Sequence, residues 1–331
     1  MRAVVLHETG DSGVLVQEEV ATPVVQKPGE VLVKLKTAGI NPVDAKLRKG
    51  FYPIQQYPAI LGCDGAGIVS ATGSGVTRCK EGDPVFFFHG GIGNDPGNYA
   101  EYILLDERFV AIKPPKMDFI HAAALPLVFI TAWEALHDRT RITSGQTVLI
   151  HAGAGGVGHI AIQVAKAAGA RVITTVSSDE KAGFVTRLGA DHVINYKKEN
   201  LVDAVMKYTN GTGADIVMDN VGGEVIPSSF PAVRHFGDLV TLLQVPDSMD
   251  WTVARMRNLR FSFEIMLTPL LYGLEDAQRH QTWILEQCAR MVAENCLQVH
   301  VSETFTLDEI RTAHERIESG SVTGKLVLVI D

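Results

Sequence analysis

The stretch Val148-Leu149-Ile150-His151-Ala152-Gly153-Ala154-Gly155-Gly156-Val157-Gly158 decides how this chain is read. An apolar, β-branched segment runs into a glycine-rich turn and then into a helical pattern. Gly153, Gly155 and Gly158 fall in the spacing G-x-G-x-x-G. In that pattern the first glycine permits a tight turn, the second lets the backbone approach a pyrophosphate, and the third lets helix and strand pack closely. Free N–H groups at the helix start then face the phosphates, whose charge the helix dipole favours. Ala154, Gly156 and Val157 complete this candidate cofactor loop.

The surroundings give the motif its weight. Val157, Ile160, Ala161, Val164, Ala165 and Ala168 recur three and four apart, as one helical face requires. Gly169 stands where a helix end favours glycine. Arg171-Val172-Ile173-Thr174-Thr175-Val176 is then a second, β-branched strand. The motif therefore joins strand to helix inside a βαβ unit. The competing reading is a glycine-rich turn with only a packing role.

The end of the second strand selects the cofactor. A site for NAD places Asp or Glu about 20 residues beyond the motif, on the ribose 2′-hydroxyl. Here Ser177 and Ser178 stand in that place. Asp179 and Glu180 follow at the expected start of the next helix, where acids are ordinary. Lys181 lies one turn after Ser177, and Tyr196 follows the third strand, His192-Val193-Ile194-Asn195. A hydroxyl with a nearby lysine suits a 2′-phosphate. One charge-assisted hydrogen bond contributes about 1.5–3 kcal/mol, roughly a tenfold to hundredfold preference for NADPH. The plain alternative for Lys181 is a solvated helix lysine.

Composition sets the outer bounds. The 331 residues, 46% hydrophobic, suffice for one large domain or two ordinary ones. No apolar run has transmembrane length, and Met1-Arg2-Ala3-Val4-Val5-Leu6-His7-Glu8 turns polar too soon for a signal peptide. The net charge of −8, with no basic block, argues against nucleic acid as a partner. Cys63, Cys79, Cys288 and Cys296 form no C-x-x-C pair and read as reduced thiols of a cytoplasmic protein.

Residues 1–125 read as β-rich and full of turns. Alternation over residues 31–38 marks a strand after the turn Pro28-Gly29, residues 59–69 a glycine-punctuated strand, and residues 82–88 a turn entering another. Residues 126–264 alternate strands and helices, which implies a doubly wound parallel sheet. Its fourth strand is expected at 214–219 and its fifth at 239–243. Residues 265–331 hold one long and one shorter helical pattern and end in Lys325-Leu326-Val327-Leu328-Val329-Ile330. A final strand like this usually rejoins an earlier sheet, so the first domain is expected to be discontinuous, 1–125 with 265–331.

The chain resembles the zinc-independent quinone oxidoreductases of the medium-chain dehydrogenase/reductase superfamily, the group that includes zeta-crystallin. The carriers are Ala38-Gly39-Ile40-Asn41-Pro42-Val43-Asp44, Gly62-Cys63-Asp64-Gly65-Ala66-Gly67, Gly82-Asp83-Pro84-Val85, Ala152 through Gly158, and Asp219-Asn220-Val221-Gly222-Gly223. The resemblance implies a GroES-like catalytic domain, a Rossmann coenzyme domain at 126–264, and homodimers formed through the coenzyme domain. It implies Tyr52 and Asn41 at the nicotinamide end, and cofactor contacts from Thr131, Asn220, Leu242, Leu243, Phe263, Glu264 and Ile265. It also implies that Ser177, Lys181 and Tyr196 meet the 2′-phosphate.

Zinc-dependent relatives carry Cys where this chain has Asn41 and His where it has Cys63. No Cys stands around Leu127, where a third ligand is expected, and residues 86–102 lack the cysteines of a structural zinc lobe. Catalytic zinc needs three protein ligands and an open position. One thiolate and Asp64 make a poor site, so no metal is expected, and Cys63 reads as a small buried residue.

Without a metal, the acceptor must take hydride readily, as quinones and activated alkenes do. The cofactor supplies the hard chemistry and the protein supplies orientation. Tyr52 and Asn41 are the candidates for orienting the acceptor oxygen. A phenol with an ordinary pKa near ~10 is a reluctant proton donor. Asn41-Pro42 reads otherwise as a capping turn, and Asp44 as a residue bonding nearby backbone. His151 and His159 flank the glycine loop and read as packed or solvated histidines. His89 opens a glycine-rich loop, residues 89–98. Two other readings stay open: an NADPH-binding protein with little turnover, and a zinc-dependent alcohol dehydrogenase.

Overall fold

The structure, a computed structural model, describes residues 1–93 and 95–330, so Asn94 of the glycine-rich loop lies outside the described residues. The chain forms two compact units: Met1–Ile130 with Leu267–Asp331, and Thr131–Met266.

The second unit is built on six parallel strands. Across the sheet they run His192–Asn195, Arg171–Val176, Thr147–Ile150, Ala214–Asp219, Val233–Thr241 and Arg260–Phe263. The first strand in sequence lies inside the sheet, between the second and the fourth. The direction of strand addition reverses there, which makes its carboxyl end the switch point where such sheets bind ligands. Ile173, Leu149, Val217 and Leu239 sit side by side in register across four strands, and none is exposed. Strands buried on both faces need such unbroken apolar runs, and each of these side chains contributes about 1.5–3 kcal/mol by its burial. Helices Gly156–Ala167, Asp179–Arg187 and Leu201–Tyr208 connect the first four strands. Helix Gly156–Ala167 ends at Ala168, followed by Gly169 at φ 79°, the left-handed stop its position suggested.

Two boundaries in this sheet differ from the sequence reading. The fifth strand starts at Val233 and stops at Thr241, leaving Leu242 and Leu243 just past its end. Its early half was hidden because Arg234, His235 and Phe236 are polar or irregular, with Phe236 at φ 60°. The edge strand Arg260–Phe263 was not expected at all. Arg260 and Phe263 are exposed and Phe261 and Ser262 partly buried, and Arg260 and Ser262 interrupt the apolar pattern.

The first unit centres on strand Glu30–Ile40, where Val31, Val33 and Leu35 are fully buried. A seven-stranded sheet runs Val301–Thr306, Lys325–Val329, Glu30–Ile40, Asp64–Thr72, Pro84–Phe88 and Ala111–Ile112, with Tyr102–Asp106 also pairing on the central strand. The final strand does rejoin an earlier one: Leu326 lies antiparallel opposite Ile40. A small sheet pairs Arg2–Leu6 with Val16–Glu19 and Ala59–Ile60. Residues 59–69 are thus not one strand. The chain leaves the small sheet at Ile60 and enters the large one at Asp64, turning at Gly62 (φ 90°), where a Cβ would fall 2.4 Å from the Tyr99 ring. Phe86 and Phe87 are core strand residues with no exposure. All four cysteines are free. Among the described residues no helix is long and apolar enough to cross a membrane.

Candidate functional site

The cofactor residues singled out from the sequence collect at one edge of the parallel sheet. Gly153 to Gly158, Ser177, Tyr196, Asn220, Leu242 and Leu243 each follow the carboxyl end of a different or adjacent strand, and Phe263 ends the sixth. Phe263 and Ile265 are half-exposed, while Thr131 is buried in helix Pro126–Trp133.

The glycine loop fits a pyrophosphate. A Cβ on Gly153 would fall 2.0 Å from Thr174 Oγ1, and one on Gly158 would fall 2.3 Å from the Ala152 carbonyl oxygen. Both glycines are therefore needed for packing. A Cβ on Gly155 would meet only the Ala152 oxygen, at 3.3 Å, so this position is open on its outer side. The first-turn N–H groups of helix Gly156–Ala167 have no intrahelical partners, and they are available to an anion. Ala152 itself is held at φ 51°, with its N–H donating to Thr175 Oγ1 at 3.0 Å.

Ser178 caps helix Asp179–Arg187 by accepting from the Lys181 N–H at 3.3 Å, which leaves Ser177 just outside the helix start. Tyr196 is 56% exposed beyond the third strand. No Asp or Glu occupies the end of the second strand.

Beside the loop, polar groups are tightly arranged. Asp219, fully buried, accepts from the N–H groups of Val221 and Gly222 and from Thr241 Oγ1 at 2.7 Å. This fixes the turn that carries Asn220. Asn220 donates to the His151 carbonyl at 2.8 Å, and its buried Oδ1 has no hydrogen-bond partner, as an acceptor awaiting a ligand donor would. His151 sits between Ser229 Oγ (2.9 Å) and Thr175 Oγ1 (3.3 Å), and burial pulls its pKa down to about 4. His159 contacts the Gly155 carbonyl. His151 is thus a packed, neutral support of the loop, and His159 is fully buried against it.

The first unit holds the acceptor-side candidates. Asn41 is 1% exposed and caps helix Pro42–Arg48 in a box with Asp44, whose carboxylate accepts the Asn41 N–H at 2.8 Å. Asp44 thus bonds nearby backbone. Its second donor is the Tyr99 hydroxyl at 2.8 Å. The Asn41 amide is occupied at both ends: Nδ2 donates to Asp64 Oδ2 at 2.8 Å and Oδ1 accepts from Lys325. Asn41 Nδ2 also lies 3.9 Å from Cys63 Sγ, so both amide hydrogens are directed to groups of the first unit. Tyr52, in contrast, is 45% exposed. Burial raises the pKa of Asp64 against the pull of Lys325, and pushes the Cys63 thiol well up. His89 is mostly buried and stacks on Phe109 at 5.9 Å, with Nδ1 lacking a partner.

Lys325 escaped the sequence reading. Its signal was a cation opening an otherwise apolar strand, matched by Asp64 inside the apolar, glycine-rich run of residues 59–69. The pair of half-exposed Arg139 and buried Glu264, Nε to Oε2 2.7 Å, was also missed; it ties the π-helical segment Glu134–Arg139 to the residue after the edge strand.

Known proteins agree with this architecture. Residues 27–115 match the alcohol dehydrogenase GroES-like domain, and residues 188–328 the zinc-binding dehydrogenase family. A quinone oxidoreductase of Pseudomonas aeruginosa is 32% identical over 93% of both chains. A solved NAD-dependent alcohol dehydrogenase is 31% identical, with a TM-score of 0.91 and full coverage of both chains. The Escherichia coli quinone oxidoreductase, solved in complex with NADPH, is 29% identical with a TM-score of 0.87, covering 99% of this chain and 100% of its own. This chain belongs to the medium-chain dehydrogenase/reductase superfamily, in its quinone oxidoreductase group.

Proposed function

We propose that this chain is an NADPH-dependent oxidoreductase that reduces a quinone or an activated alkene without zinc. The observation that carries the reading is the sheet edge itself: an open glycine cradle, a hydroxyl with a lysine one turn on, and no acid for a 2′-hydroxyl. When bound, the reduced nicotinamide supplies a hydride. The chain's own part is to seat the pyrophosphate on the Gly153–Gly158 loop, to present Ser177, Lys181 and Tyr196 to the 2′-phosphate, and to offer the Asn220 Oδ1 to a donor of the ligand. Thr131, Leu242, Leu243, Phe263 and Ile265 complete the proposed contacts, and Tyr52 orients the acceptor oxygen.

The donor set argues for zinc independence. Zinc needs deprotonated ligands, whereas Asn41 is an amide and burial keeps Cys63 protonated. Asp64 is already engaged by Asn41, by the Leu127 N–H at 2.8 Å and by Lys325 at 3.7 Å. A zinc-dependent alcohol dehydrogenase is the second reading, supported by the matched zinc-binding dehydrogenase family and by the name of the solved NAD-dependent relative. Homodimers through the coenzyme unit fit the unpaired edge of strand Arg260–Phe263.

The deciding experiment is NADPH oxidation by metal-analysed protein against quinones, enones, alkenals and simple ketones, with NADH as control. Turnover of quinones or enones, faster with NADPH and indifferent to chelator, is the expected result. Stoichiometric zinc with NADH-linked ketone turnover would establish the second reading, and NADPH binding without turnover a binding protein.

A further inference from the structure

Helix Pro42–Arg48 has only 7 residues, too few to hold itself helical in water. Asp64 and Tyr99 hold its first turn through Asn41 and Asp44, and two further anchors, one at each end, come from the far end of the chain. At the start, Lys325 is 4% exposed. Its Nζ donates to the Ile40 carbonyl at 3.1 Å and to Asn41 Oδ1, and lies 3.7 Å from Asp64 Oδ2. At the finish, Arg48 is fully buried and pairs with Glu318, whose Oε1 also meets Lys49 Nζ at 3.0 Å. Arg48 Nε and Nη1 have no hydrogen-bond partner among the described residues, and His314 beside it is kept neutral by burial and by Arg48. Glu318 is therefore the counter-charge of a buried guanidinium. Directly after this helix, the Phe51 N–H donates to the Lys46 carbonyl at 3.0 Å, and exposed Tyr52 follows.

We infer that Lys325 and Glu318 are positioning residues for acceptor reduction, clamping helix Pro42–Arg48 at its two ends and so fixing the segment that carries Tyr52. The catalytic half of this inference rests on the function proposed above; the clamp itself does not. Removing the ammonium leaves the Ile40 carbonyl and the Asn41 Oδ1 buried without that donor, and Asp64 without its cation, each a costly state in the interior. The cheapest relief is for the helix start to move. A displacement of about 1 Å at a group that orients a reactant can cost about a hundredfold in rate.

The test uses the full-length protein and two readouts. In Lys325→Met, amide hydrogen exchange over residues 42–57 is expected to quicken at least about tenfold, while residues 147–176 keep the wild-type pattern. The kcat for the acceptor falls about tenfold to hundredfold, with the NADPH Kd unchanged within about twofold. Glu318→Gln, at a partly exposed site, gives the same pattern at about threefold to tenfold, and decides the matter if Lys325→Met does not fold. Unchanged exchange over 42–57 overturns the clamp. Faster exchange with wild-type acceptor kinetics overturns its link to the reaction, and so does a parallel loss of NADPH affinity. If the wild type reduces no acceptor, the function reading fails, while exchange still decides the clamp.

Discussion

On the function proposed above, cofactor choice turns on Ser177. An acid there would repel a 2′-phosphate and accept the 2′-hydroxyl of NADH instead. Ser177→Asp is expected to weaken NADPH binding about tenfold to hundredfold, the worth of one charge-assisted hydrogen bond, and to leave NADH binding equal or better. Fluorescence titration with both cofactors measures this, and equal weakening of both would refute it. Asp44 makes a prediction of a different kind. Burial pushes its pKa up to about 7, against the lowering effect of the Asn41 N–H and the Tyr99 hydroxyl. An unfolded Asp titrates near ~3.9, so the folded state holds this proton more tightly. The stability it confers is complete below about pH 4 and is lost as pH rises to about 7, by at most about 1.4 kcal/mol per pH unit. Asp44→Asn keeps the size and removes the titration. Urea unfolding at about pH 5 and about pH 7 should show a shallower decline for the variant; equal slopes would exclude Asp44 as the source. The glycine loop was legible in the sequence because its constraints are local: each glycine answers to backbone or side chain within one βαβ unit. Lys325 was not, because Asn41, the group it serves, stands 284 positions away.

Among the elements, those buried on two faces announced themselves. Strands Thr147–Ile150, Arg171–Val176 and Ala214–Asp219 show apolar or β-branched runs over residues 147–150, 172–176 and 216–218, because a parallel sheet covered on both sides is buried through its middle. Edge elements obey a looser rule, and Arg260–Phe263 went unseen for that reason. Its carboxyl end is nevertheless firmly held. Glu264 is 2% exposed and bonded to Arg139 across to the π-helical segment, a helix type often found near functional sites. Glu264→Gln is expected to cost about 1 kcal/mol of stability, because Arg139 is half-exposed and solvent screens the pair. Chemical denaturation of the two proteins would measure it, and a loss below about 0.5 kcal/mol would show the pair to be dispensable.

On the scale of the whole molecule, cofactor binding and stability are linked. A ligand that binds only the folded state adds about 2.7 kcal/mol at a hundredfold excess over its Kd. NADPH at that concentration should therefore raise the melting temperature by several degrees, more than NADH does at equal concentration, and chelator should leave it unchanged. A thermal shift with NADH alone would reverse the cofactor assignment. Fold class followed from the sequence because alternation of strand and helix over one hundred or so residues can mean little else. The substrate did not, since the acceptor side depends on exposed segments such as residues 51–57, whose course is fixed by distant partners.

The order of synthesis adds a consequence. Thr131–Met266 is continuous, so it can fold as soon as it leaves the ribosome, with parallel strands drawn from near neighbours. The earlier-made half of the other unit must wait. Its central strand, Glu30–Ile40, can pair early with Tyr102–Asp106 over residues 30–34, but residues 37–40 lack a partner until Lys325–Val329 is translated, and the Lys325 anchor on Ile40 spans 285 positions. A nascent chain thus carries an exposed hydrogen-bonding edge through most of its production, the kind of edge to which another chain can add. Proteins cut short by a late stop codon would keep a coenzyme-binding unit while presenting that edge permanently, and would be targets for chaperones and proteases rather than weak enzymes.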